Sequence, residues 1–229
     1  MTTETEESTE HFFTAFTDLL VGVIFLFILL LMVFALNLKQ AQNEKPVITT
    51  EEVRANILEE IEKRMQARGL PIILDLNNGV VRLPESLLFA SGQWELLPEG
   101  KQAVEALAEV MAEVLPCAAE STIACAWEPQ PVKLDTVLIE GHTDNRPFNS
   151  PQGFTNWELS AFRSIAVYKT MMDAVPSLAQ AIMNPNRQPL VGVSAYADRR
   201  PTSAIALDPN RRIDVRFTMR ANNMEQPIP

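Results

Sequence analysis

The sequence predicts an α+β protein in two unlike parts: a single N-terminal transmembrane helix, then a domain with a mixed sheet and helices packed on one face. Three observations carry this. From Leu19 to Leu36 there are eighteen consecutive residues with no charge and no side-chain amide. Beyond residue 70, short apolar runs bounded by Asn, Gly and Pro alternate with stretches of helical period. The 229 residues leave about 150 for that second part, enough for one ordinary domain.

The span covers Phe12–Leu38 and is almost wholly apolar, with one acid, Asp18, inside it. Roughly 20 residues cross a hydrocarbon core about 30 Å thick. An ionisable residue within such a span is costly, so it faces a partner or a water path and marks an ion or proton route. The alternative is that Thr17-Asp18 caps a helix beginning at Leu19, which leaves enough residues to span unaided. Against the cap, Phe12, Phe13, Ala15 and Phe16 precede the acid and suit apolar surroundings. A helix starting near Glu10 places Asp18 about 12 Å along it, below the interface. Residues 1–11 carry Glu4, Glu6, Glu7 and Glu10 and no Lys or Arg, the composition of a disordered acidic tail. A cleaved signal peptide needs a basic start, so the segment reads as an uncleaved anchor. Lys39 and Lys45 follow the span, and the positive-inside rule alone puts the N-terminus outside.

A net charge of −10 and a pI near 4.8 exclude nucleic acid as the partner, because nothing offers the basic excess that phosphates require. Residues 39–70 form a juxtamembrane linker, broken at Pro46, and an amphipathic helix. Thr49 or Thr50 caps that helix, and Glu51 and Glu52 occupy its first turn. Val53, Ile57, Ile61 and Met65 share one face, and Arg68-Gly69 close it. The stripe suits packing on its own domain, with a partner helix as the alternative.

From 71 to 220 the chain reads ββαβαββ. Two strands flank Asn77-Asn78-Gly79, a strong hairpin signal. Pro98–Leu115 is helical by period, with Val104, Leu107, Ala108, Met111 and Leu115 on one side. Leu134–Glu140 is a strand, Trp157–Met172 a helix, and Leu190–Tyr196 and Arg212–Thr218 are strands; residues 221–229 form a C-terminal tail. Cys117 and Cys125, the two cysteines, bound a nine-residue loop that follows a membrane span. That favours a disulfide over buried free thiols, and no histidine stands at zinc spacing.

The chemistry concentrates in residues 139–164. A strand ends in Gly141-His142-Thr143-Asp144, a proline-bearing loop follows, and Asn156-Trp157-Glu158-Leu159-Ser160 opens a helix carrying Arg163. Asp144 then lies near a helix N-terminus with a guanidinium one turn in. Such a site takes a zwitterion, its ammonium on Asp144 and its carboxylate on Arg163 and free backbone amides. A plain Asp144–Arg163 salt bridge fits the same residues equally well. His142, Asp144 and Ser160 can be drawn as a triad, but no nucleophile elbow is present, so no enzyme is expected. The histidines, His11 and His142, fall in separate segments, and no Gly-rich phosphate loop exists; neither a metal nor a cofactor is expected.

These residues carry a resemblance. GHTDN followed by NWELSAFRS resembles the OmpA-like peptidoglycan-binding domain, with its T-D and N-x-x-L-S-x-x-R elements. The N-W-E-L-S form, after a longer loop, looks most like the MotB type, the anchoring subunit of ion-driven stators. LLFASGQWELLPEG, Leu87 to Gly100, resembles that family's strand-to-helix passage, and YADRRP with Asn210-Arg211-Arg212-Ile213-Asp214 resembles its last strands. The resemblance covers about residues 80–220. It departs at Ser164, where the family has Ala, in the loop Arg146–Thr155, and in the Cys117–Cys125 insertion.

The resemblance implies that Asp144 and Arg163 hold the diaminopimelate moiety of a peptide stem. It places Thr143, Asn145, Asn156, Leu159 and Ser160 at neighbouring pocket positions. It also implies that Asp18 is the proton carrier, with a cytoplasmic N-terminus and a periplasmic domain at the inner membrane of a bacterium, which overrides Lys39 and Lys45. In the family a dimer of this subunit sits inside a pentamer of a polytopic, MotA-like A subunit that rotates around it. The acidic tail and the run TDLLVGVIFLF look more like the B subunit of Zorya phage-defence motors, ZorB, than like flagellar MotB. Few polar residues, Thr14 and Thr17, neighbour Asp18, which favours protons over sodium. The rival reading is a passive wall-binding tether that moves no ions.

Overall fold

A computed structural model describes residues 3–43, 49–70, 72–203 and 208–220. The chain divides into two compact units, residues 1–47 and 48–229. The first holds one helix, α1 (Thr3–Asn43). It runs unbroken through Thr17-Asp18, so Asp18 does not cap a helix starting at Leu19. It also takes in the glutamates of the expected disordered tail. Of the described residues, Phe16–Lys39 is long and apolar enough to cross a membrane. Its Leu, Ile, Val and Phe side chains are exposed all round, an arrangement that only lipid or partner helices satisfy. The expected C-terminal tail, 221–229, and Lys45 and Pro46 lie outside the described residues.

The second unit opens with α2 (Thr50–Ala67). Thr49 and Glu52 form a reciprocal capping box, and Gly69, at φ +72°, turns the chain away after the Arg68 cap. Val53, Ile57, Ile61 and Met65 are fully buried within this unit, against α4 (Pro98–Val114). The stripe is therefore spent on its own domain.

A five-stranded mixed sheet follows in the order β1 (Ile73–Asp75), β2 (Val80–Pro84), β7 (Arg212–Met219), β4 (Leu134–His142), β6 (Val191–Ala197). Only the β4–β6 pair within it is parallel. The β1–β2 hairpin closes through residues 76–79, twice the length an Asn-Gly turn implies. Asp75 organises it by accepting from the backbone and side-chain amides of Asn78, and Gly79 takes φ +67°. Beyond the predicted elements, α3 (Glu85–Leu88) follows β2 directly. A small second sheet pairs β3 (Glu120–Ser121), which precedes β4, with β5 (Ile182–Met183), which follows α5 (Asn156–Ala174) and α6 (Ser177–Gln180). Cys117 and Cys125 are joined by a disulfide across the loop that carries β3.

The two sheet faces differ chemically. Val137, Ile139, Ile213, Val215 and Phe217 join the core beneath α2, α4 and α5. The alternate residues Glu140, His142, Arg212, Asp214 and Arg216 form a lattice of charges on the opposite face. Gly141 faces the helices: a Cβ there would lie 2.0 Å from the Ser160 carbonyl oxygen. The absent side chain lets β4 lie directly on the first turns of α5, and so brings Thr143-Asp144 to the start of that helix.

Candidate functional site

A pocket of about 140 Å³ opens where the end of β4 meets the start of α5. Thr143, Asp144, Asn156, Leu159 and Arg163 line it, and so do Glu85, Ser91, Gly92, Arg146, Phe148 and Arg211. Asp144 and Arg163 are both buried, at 5% and 2% exposure. They share the pocket without bonding to each other, so the loop-to-helix staple is not formed.

Arg163 instead belongs to Glu85. Its Nη2 donates to Glu85 Oε1, its Nε donates to the Gln93 carbonyl at 2.8 Å, and its guanidinium lies over the Phe89 ring. Burial pulls this guanidinium below its ordinary value, and the Glu85 carboxylate opposes that. Glu85 Oε2 faces Arg211 Nε at 2.9 Å, and the same nitrogen lies 3.7 Å from Asp144 Oδ2. Asp144 is held by its near neighbour: Arg146 Nε donates to Oδ2 at 2.8 Å, and the Arg146 backbone amide donates to Oδ1 at 3.0 Å. Two carboxylates and three guanidiniums thus alternate along one wall.

The N-terminus of α5 contributes less than expected. Thr155 and Glu158 form a capping box: Trp157 N–H donates to Thr155 Oγ1, and Glu158 Oε2 accepts from Thr155 N–H. The Thr155 hydroxyl takes up donors of the helix end, and anion binding falls to the guanidiniums. Asn156 Nδ2 donates to the carbonyls of Asp144 and Arg146, fixing the loop to the helix. Ser160 lies beneath the pocket rather than in its lining. Its Oγ donates to the Trp157 carbonyl and accepts from Ala197 N–H, tying α5 to β6. Asn145 is exposed and lines a neighbouring depression with Asp198 and Pro201. Among the described residues, Thr143 Oγ1, Glu85 Oε2 and Arg211 Nε are buried without a geometrically formed hydrogen bond, and all three residues line this one pocket.

Glu85, Arg146 and Arg211 were not legible as pocket residues from spacing. Arg211 belongs to the Asn210–Asp214 run, a strand signal, and Arg146 to a loop that departs from the family pattern. Glu85 is 78 residues from the arginine it holds.

On the opposite sheet face, His142 is buried between Glu140 (3.6 Å) and Asp214 (3.8 Å) and stacks on Tyr196. No triad forms, because Ser160 Oγ is engaged with backbone groups on the helix side. Glu140, His142 and Asp214 could in geometry face one cation. Arg216 and Arg82, however, each take both oxygens of one carboxylate, and Arg212 adds a third donor to Asp214. Such arginine saturation opposes a metal.

The sequence matches no protein-family model. A search of curated proteins returns no match either. Solved structures do match. A MotB-like protein from Desulfovibrio vulgaris aligns with 22% identity and a TM-score of 0.52 over 74% of this chain and 96% of its own. The α+β domain shares the fold of this MotB-like protein. The periplasmic domain of Helicobacter pylori MotB aligns at 21% identity and TM-score 0.45, over 63% of this chain and 78% of its own. The type VI secretion system cell wall anchor from Pseudomonas aeruginosa aligns at 19% and 0.46, over 71% and 96%.

Proposed function

We propose that this chain is the B subunit of a proton-driven membrane stator. Asp18 carries the proton, and the MotB-like domain anchors the complex to peptidoglycan from the periplasm. The observation that carries the reading is one carboxylate inside an uninterrupted apolar helix, on the same chain as a MotB-like fold with an ionic pocket. A passive tether has no use for an acid within its span, where an ionisable group is costly.

In this reading the N-terminus is cytoplasmic and the span crosses the bacterial inner membrane. Two copies sit within a pentamer of a polytopic, MotA-like A subunit. An isolated charge is costly in hydrocarbon, so an acid in the span needs a partner group or a water path. Access from alternate sides makes it a one-proton relay. The force needs a fixed reference, which the pocket supplies. The ammonium of a diaminopimelate moiety binds Asp144, its carboxylate meets Arg163 and Arg211, and Thr143 Oγ1 gains the partner it lacks. Asn156 and Leu159 shape the wall, while Asn145 and Ser160 support it. The acidic N-terminal segment and the TDLLVGVIFLF run favour a ZorB-type subunit in Zorya-type phage defence.

The test is Asp18→Asn in cells, with protein level and membrane insertion measured alongside. Lost activity in an assembled complex supports the relay. Retained activity reduces the protein to a wall-binding tether.

A further inference from the structure

Within the wall-binding reading, on which this inference rests, Asp144 is already occupied. Arg146 places both Nε and Nη2 on Asp144 Oδ2. The carboxylate is buried, yet the arginine side chain is 55% exposed, and Asp144 is its one ion-pair partner among the described residues. The other two guanidiniums are differently held, since Arg163 and Arg211 both lean on Glu85. The Arg146 backbone is fixed independently of its side chain: its N–H donates to Asp144 Oδ1, and its carbonyl accepts from Asn156 Nδ2 at 3.0 Å. The guanidinium can therefore leave while the loop stays.

We propose that Arg146 is the specificity-determining residue of the pocket, standing in for the ligand's ammonium on Asp144 and yielding efficiently only to a zwitterion. A bare amine arriving at Oδ2 exchanges one cation for another and leaves Arg146 without a counter-ion. A head group with ammonium and carboxylate on one carbon restores the balance. Its ammonium takes Oδ2, and its carboxylate, while facing Arg163 and Arg211, also gives the displaced guanidinium a new, charge-assisted partner. The number of ion pairs rises by one for the amino acid head group and is only maintained for the amine, which leaves Arg146 without one. Selectivity thus comes from what the competitor gains as well as from what the ligand touches.

The experiment titrates the full-length protein in detergent with meso-diaminopimelate and with cadaverine, the same diamine without its two carboxylates. Wild type, Arg146→Ala, Arg146→Lys and Asp144→Ala are compared by calorimetry. Wild type prefers diaminopimelate. Arg146→Ala binds cadaverine about three- to tenfold more tightly than wild type does, and its preference for diaminopimelate shrinks. Arg146→Lys retains most of that preference. Unchanged cadaverine affinity in Arg146→Ala overturns the proposal, because nothing was then displaced. Undiminished diaminopimelate binding by Asp144→Ala instead overturns the pocket reading, and the stand-in role falls with it.

Discussion

Asp144 and Arg163 are both buried, but different partners hold them, so their removal has different consequences. Asp144→Ala frees a mostly exposed arginine and leaves the Glu85 pairs in place. It is expected to abolish binding to isolated sacculi while changing stability by about 1 kcal/mol or less. Arg163→Ala abolishes binding too, but strips Glu85 of its buried partner and is expected to cost about 3 kcal/mol. Pull-down and thermal unfolding of both variants separate the two effects. His142 gives a second residue-level prediction. Burial is the main cause that holds its imidazole below the ordinary 6.5, against Glu140 and Asp214 and with Arg212. Above the unfolded value His142 is neutral in both states, and its neutral packing is fully compatible with the fold. As pH falls from 6.5 through the lower folded value, the unfolded chain binds the extra proton and stability declines. Burial pushes the Glu140 carboxyl up, but His142 and Arg216 outweigh it and hold it below 4.5, so its contribution is lost further down the acid range. His142→Phe should flatten the first decline and, by removing one of the two groups that hold Glu140 down, also shrink the second in pH-resolved unfolding. Equal declines in both proteins would remove His142 as the cause.

The contact between β4 and α5 is where element packing and site geometry become one problem. Gly141→Ala puts a methyl 2.0 Å from the Ser160 carbonyl oxygen, which is backbone and cannot rotate away. The strand must lift from the helix, at an expected cost of about 2–3 kcal/mol. The same shift strains the Ser160 Oγ contact with Ala197 N–H and moves Asp144 away from Arg163. Lower thermal stability together with weaker sacculus binding is the expected result; an unchanged melt would show that the packing relaxes freely. The elements on either side of this contact are legible in the sequence. Asn156-Trp157-Glu158 marks the start of α5 to within a residue, and the expected strand Arg212–Thr218 is β7 to within one residue. The pieces that are not legible, α3, α6, β3 and β5, are four residues or fewer and follow tertiary contacts rather than any local period. Pocket pairing is opaque for a related reason. Asp144 and Arg163 are visible by motif, but nothing local tells Arg163 to choose Glu85 or tells Arg146 to fold back on Asp144. The first choice is supported from the passage Leu87 to Gly100, where Gln93 offers its carbonyl to the same guanidinium.

At the scale of the whole molecule, the proposed function needs two separable events: proton passage at Asp18 and a grip on the wall by Asp144 and Arg163. Each proton crossing the membrane field releases about 2.3 kcal/mol per 100 mV, and this becomes work only when one side of the machine is held still. In that proposal Asp18→Asn removes the carrier and leaves the wall-binding unit intact, so the variant is expected still to bind sacculi and to take its place in mixed dimers. Co-expressed with wild type, it is expected to lower protection against phage infection, because working positions fill with complexes short of a carrier. Adding Asp144→Ala to the same chain should relieve that interference, since a subunit without its wall grip no longer holds a working position. Plating efficiency of phage on the co-expressing strains, with membrane levels of each variant matched, reads the outcome. Interference by the single variant and its relief in the double variant require carrier and anchor to act in series. A passive tether makes the opposite prediction, with Asp18→Asn neither harming nor interfering, and that result would leave wall binding as the whole of the function.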